Sequence, residues 1–242
     1  MRESVREWAT VARRDRRTGT KGAVPPWTPT ANMPAPQAPN SGQNGQQAGA
    51  QVARVWPNSL QWWPTFVGVA FAAFCALDMF RGSEGGRDLA SILAASGLVY
   101  LGAAALQKPS TAWPLFLGTV VVITASRVSN RAGWADFDAT WVLLGLAALF
   151  VLYGLRRGAA RPIDRLPLQT IAMLGFGMTA AIALMVSGHA GPYLVAAGLL
   201  GHAAWDVYHH WANRVVVRSM AEFCFVLDTL LAVAIVVATV RS

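Results

Sequence analysis

From residue 61 onward the chain repeats one pattern: an apolar run of roughly 16 to 22 residues, a short polar break, then another apolar run. Seven such runs can be drawn, at 63–80, 89–106, 113–128, 140–155, 168–187, 192–211 and 219–240. A helix of about 20 residues spans a hydrocarbon core of ~30 Å, and in lipid only helices and closed barrels satisfy every backbone N–H and C=O internally. The pattern predicts an all-α, polytopic transmembrane bundle over 61–242, with about seven spans. Because the third and fourth runs are short, six spans plus a re-entrant segment also fit.

Residues 1–60 break the pattern. Stretches such as "RRDRRTG" and "PPWTPTANMPAPQAPNSGQNGQQAGAQ" are rich in Arg, Pro, Gln and Ala and hold too little apolar surface to order themselves, so a disordered basic tail is expected. The tail has no continuous apolar region of the kind a secretory signal needs. Its acidic Glu3, Glu7 and Asp15 argue against a transit peptide. Met33 is an alternative start.

Composition agrees with lipid as the solvent: 54% of the residues are hydrophobic and 13% charged, against about a quarter charged in soluble domains. The net charge of +8 does not imply a nucleic-acid partner. Eight of the twenty basic residues lie in the first 54 positions, and most others flank apolar runs, where they act as topology signals. With the amino terminus inside, the inner loops hold seven Arg or Lys and the outer side five, which favours a cytoplasmic N-terminus. Arginine outnumbers lysine eighteen to two and alanine is abundant, a composition typical of GC-rich bacteria, so the expected location is a bacterial inner or plasma membrane. Trp62, Trp63, Trp113, Trp134, Trp141 and Trp211 fall at span ends, as an aromatic belt requires. Gly68, Ala72 and Ala76, and separately Ala197 and Gly201, repeat every four residues and are expected to be packing faces.

Candidate chemistry is concentrated in "GHAAWDVYHHWANR", which holds three of the four histidines inside an otherwise apolar span. At ~100° per residue, His202, Asp206 and His209 share one stripe, while His210 lies about 80° away, toward water or headgroups. His189 belongs to a short outer loop. If Trp211 and Arg218 mark the same interface, equal depth pairs residues whose numbers sum to about 429. His202 then faces Asp228 and Asp206 faces Cys224, with His202 and Asp228 ~15 Å deep, near the midplane. A lone charge there costs roughly 2.5–3.5 kcal/mol on insertion scales, so such groups find partners. Glu222, one turn after Arg218, is expected to pair with it. Asp78 either hydrates beside Arg81 or lines the outer mouth of the same cavity.

A divalent metal is one use of this cluster, with ligands drawn from His202, Asp206, His209 and Asp228. His202 and His209 are ~10.5 Å apart along one helix and cannot share an ion. Cys75 and Cys224 form no paired framework. Three readings follow. The first is a membrane enzyme acting on a lipid-like or isoprenoid substrate, with His202, Asp206 and Asp228 as acid, base or metal ligands. The second is a proton-coupled transporter or channel using the His202/Asp228 pair as a relay, with Gly175 and Gly177 permitting a broken helix. The third is a structural or partner-binding membrane protein whose basic, Gln-rich tail recruits a soluble partner or anionic lipid headgroups, the His/Asp pair serving only to lock two helices together. No phosphate loop, GxSxG elbow or CxxCH haem attachment is present, although haem held only by histidines stays compatible.

Overall fold

The computed structural model describes residues 62–81, 89–134, 136–162 and 165–241; the tail expected over 1–60 lies outside them. Among the described residues there are seven α-helices and no strand. They are α1 (Trp63–Arg81), α2 (Ala90–Ala105), α3 (Ala112–Ala132), α4 (Ala139–Arg156), α5 (Leu166–Met185), α6 (Ala190–Ala212) and α7 (Arg218–Arg241), with a 3₁₀ turn at Pro109–Thr111 leading into α3. Five are long and apolar enough to cross a membrane: α1, α3 with its leading turn, α4, α5 and α7. The shortest is α2, with 16 residues, not the third or fourth helix as the apolar runs suggest. Helix α6 has the length, 23 residues, but its histidines and Asp206 make it less apolar.

The short α2 lies at the centre of the bundle. Every residue from Ala90 to Ala105 is buried, because this helix is apolar on all sides and built largely of Ala, Gly and Ser. It packs on α3, α4, α5 and α6, while α1, α7, α6, α5, α4 and α3 follow one another around it. Hydrophobicity gives helices no reason to associate in lipid, so close approach of backbones through small residues does that work. The outer surface is the reverse of a soluble protein's: Phe66, Leu117, Val121, Leu149, Ile171, Leu174 and Val233 are all exposed. Apolar exposure on this scale suits hydrocarbon and not water.

Helix α1 packs on α7 through the stripe Pro64, Gly68, Ala72, Cys75 and Met79; the expected Ala76 is only half-buried. A Cβ on Gly68 would lie 3.0 Å from the Phe223 carbonyl oxygen and 3.1 Å from Val226 Cβ. Gly68→Val is therefore expected to destabilise the bundle by about 1–3 kcal/mol. Gly118→Ala, with nothing within 4 Å, should leave the thermal midpoint in detergent unchanged or slightly higher. The Ala197/Gly201 expectation is corrected, since both are exposed. The packed stripe of α6 runs one residue, or ~100°, further round, through Val195, Gly198, His202, Asp206 and His209. Helix α5 is unbroken through Gly175 and Gly177, so the discontinuity suggested for a transporter is not formed.

The third apolar run ends at Val128, but α3 continues to Ala132, where Gly133 at φ 70° closes it in the left-handed conformation. That extra turn brings Arg131, beside Arg127 one turn earlier, against Asp78 of α1. Near the start of α1, the ring closes on itself through aromatic side chains. Trp63 meets Trp113 at 5.2 Å between ring centroids and Phe71 meets Phe116 at 5.6 Å. Trp113 also donates its indole N–H to Ser219 of α7, and so clasps α3 to α7 from the helix end it occupies.

Candidate functional site

Helices α6 and α7 run antiparallel because the chain reverses tightly between them, with Asn213 and Val215 at positive φ. Each helix turns one stripe inward: Val195, Gly198, His202, Asp206 and His209 on α6, and Met220, Cys224, Leu227, Asp228 and Leu231 on α7. Side chains at equal depth therefore meet. His202 Nδ1 lies 2.8 Å from Asp228 Oδ2 and 3.3 Å from Asp206 Oδ2, and all three side chains have zero solvent exposure.

Helix α2 supplies the supporting groups. Tyr100 donates its hydroxyl hydrogen to Asp206 Oδ1 at 2.6 Å, and Ser96, one turn earlier, donates to Asp228 Oδ1 at 3.5 Å. The His202 ring sits in an aromatic slot, edge to face with Tyr100 at 5.2 Å and with Phe176 at 4.9 Å. These groups fix both carboxylates and the imidazole in place, as the partners of ligand side chains do in metal sites.

One ligand atom each from His202, Asp206 and Asp228 can be chosen so that all lie within 4.8 Å of one another. Only one hydrogen can sit on Nδ1 among them, and its nearer acceptor is Asp228. Asp206 Oδ2 and His202 Nε2 are left buried with no hydrogen-bond partner. Buried polar atoms are nearly always partnered, and an orphaned carboxylate oxygen facing a nitrogen and a second carboxylate is an arrangement that could hold a cation. Charge arithmetic agrees. Two carboxylates and a neutral imidazole carry −2, which one divalent cation cancels, whereas an imidazolium leaves −1 buried in a medium that penalises net charge.

His209 belongs to a different set. Its Nδ1 lies 3.0 Å from the Trp205 carbonyl oxygen and must donate there, so its Nε2 must accept, and it does so from the Gln169 amide at 3.0 Å. Gln169 Oε1 in turn accepts from the Trp205 indole N–H at 3.2 Å. Both imidazole nitrogens are engaged and the ring is neutral, so the structure does not bring His209 to the trio. Gln169→Leu would orphan His209 Nε2 and Trp205 Nε1 together. A loss of about 1–3 kcal/mol is expected, read from unfolding in detergent.

The other candidates take up positions around two cavities. A groove of about 190 Å³ runs between α1 and α3, with Asp78, Arg127 and Arg131 at one end and Ser96, Cys224 and Leu227 on its inner wall. Asp78 thus lines the mouth of a groove, though not of a cavity that the trio itself lines. Its partners are Arg127 and Arg131 of α3, not Arg81. A second cleft of about 570 Å³ enters from the other end of the bundle, where α1 begins, and is lined by Thr65, Asp206, His210, Trp211 and Glu222 among others. His210 faces this cleft half-buried. Glu222 accepts from the Thr65 hydroxyl and so ties α7 to α1, in place of the expected pair with Arg218. Cys224 is buried, with its Sγ 3.6 Å from Met220 Sδ, and both cysteines are free thiols. His189 is exposed.

Sequence reasoning missed Ser96, Tyr100 and Gln169. A usable signal did exist for the first two: the tyrosine of an otherwise apolar, acid-free run, with a serine four residues earlier on the same face. Comparison with family models, with curated proteins and with solved structures gives no match. What fold and site define is a class: an all-helical protein with helices suited to a membrane and a closed His/Asp trio in its interior.

Proposed function

We propose that His202, Asp206 and Asp228 hold a divalent metal and form the centre of an intramembrane enzyme acting on a lipid-like substrate. The observation that carries this is the convergence of three ligand atoms with an orphaned carboxylate oxygen among them. One imidazole and two carboxylates suit zinc or manganese, and three protein ligands leave a position open, as catalytic sites do. A cation bound there would supply Lewis-acid activation of water or of a substrate oxygen. Tyr100 and Ser96 act as positioning residues, holding the two carboxylates toward the common point. In this reading all seven helices cross the membrane, the short α2 within the ring and the polar α6 beside α7. The N-terminal end faces the cytoplasm of a bacterial cell, on the strength of the arginine distribution.

Turnover of a panel of lipid esters and isoprenoid phosphates by the purified protein in detergent tests the reading. The expected result is activity that a chelator removes, that added zinc or manganese restores, and that Asp228→Asn lacks.

A second reading, conduction of protons or cations, is favoured by one observation. The two cavities lie on different sides of the trio, one lined by Asp206 itself and one by Ser96, which donates to Asp228. Proton flux through reconstituted vesicles, lost in Asp228→Asn and accompanied by no turnover of any lipid, would decide for conduction and against the enzyme.

A further inference from the structure

The groove between α1 and α3 has a shape and a charge of its own. Four helices wall it, α1, α2, α3 and α7, and Phe74 and Val128 at its lips are also exposed on the outer face of the bundle. It therefore opens sideways, toward hydrocarbon. From Arg127 to Phe116 it follows α3 for ~16 Å, a length that takes an extended chain. Apart from Thr119 and Thr124, the α3 wall between those two residues is apolar, and Phe116 belongs to the aromatic cluster at its foot.

The mouth is charged and unbalanced. Arg127 and Arg131 both pair with the single carboxylate of Asp78, so among the described residues one positive charge is left over there, and Arg131 is 73% exposed. Arginine's planar fork suits carboxylate and phosphate oxygens. We propose that this groove binds a single-chain amphiphile with an anionic head, a carboxylate or a phosphate monoester, its head at Arg127 and Arg131 and its chain lying toward Phe116. Ser96 lines the groove and donates to Asp228, so the middle of a bound chain passes one side chain away from the trio. For the proposed enzyme this implies a substrate of that class whose reacting oxygen lies along the chain and not in the head; the fate of the ligand rests on that reading, its binding does not.

The test is photo-crosslinking in detergent with three C16 probes carrying a diazirine mid-chain: a fatty acid, an alkyl phosphate and the neutral alcohol. Both anionic probes should label peptides of α1 or α3 and compete with each other, and the tighter of the two identifies the head. The alcohol should label at least about 10-fold less, the value of one lost charge-assisted contact. Arg131→Gln should weaken the anionic probes by a similar factor. Ile123→Trp, which fills the groove, should abolish labelling while the thermal midpoint stays within a few degrees of wild type. Asp78→Asn should strengthen anionic binding, because it removes the carboxylate that competes for both arginines. Equal labelling by the alcohol, labelling spread over the outer surface, or weaker binding in a folded Asp78→Asn protein would overturn the proposal. Labelling should persist in Asp228→Asn, so a groove that binds normally in a catalytically silent protein separates failure of the enzyme reading from failure of this one.

Discussion

His202→Leu is expected to destabilise the protein by about 3–5 kcal/mol, because it leaves the Asp206 and Asp228 carboxylates buried together without the imidazole that lies between them. Replacing the whole polar set by apolar side chains should behave oppositely. In a His202→Leu, Asp206→Leu, Asp228→Leu, Tyr100→Phe protein no buried charge remains at the centre, and of the hydroxyls around it only that of Ser96 loses its acceptor. Such replacements are often neutral or stabilising by about 1–4 kcal/mol. Unfolding by SDS titration of wild type, single variant and quadruple variant reads both numbers. The contrast separates a lock from a site. If the trio existed to clamp α6 to α7, the quadruple variant would fall with the single one. A quadruple variant as stable as wild type shows that the trio is kept for something other than stability.

The second large effect concerns metal affinity. Asp228→Asn retains the shape of the side chain but removes its charge and one ligand oxygen. Partners of metal ligands are worth about 10–100-fold in affinity, so loss of a ligand should exceed 100-fold, while Tyr100→Phe should fall within the 10–100-fold range. Gln169→Leu should leave affinity unchanged, since Gln169 serves His209 and not the trio. Competition with a chromophoric chelator measures all three. Equal losses in Gln169→Leu and Tyr100→Phe would mean that affinity follows general stability and not ligand placement.

The meeting of His202 with Asp228 was legible because it follows from local geometry alone. Two helices joined by a short turn, each with a 3.6-residue period, bring residues at equal depth together. The same stripe pointed to His209, yet seven residues is two turns, and at that distance the imidazole meets Gln169 of α5 instead. No periodicity within α6 could reveal that neighbour, because it depends on how α5 packs beside it. The central place of α2 was hidden for a related reason. An apolar run that is buried on all sides and one that faces lipid have the same composition, and only packing tells them apart. Asp78 was visible as an acid within an apolar run. Its partners were not, since Arg127 and Arg131 mark the end of an apolar stretch without ending the helix that carries them.

Metal content measured on the protein purified without a histidine tag tests the central claim most directly. Wild type loaded with zinc or manganese and then desalted should hold close to one ion per chain, and Asp206→Asn and Asp228→Asn close to none, with all three showing the same helical spectrum. Wild type that holds no ion above background, or carboxamide variants that hold as much as wild type, would contradict the assignment of His202, Asp206 and Asp228 as a metal centre.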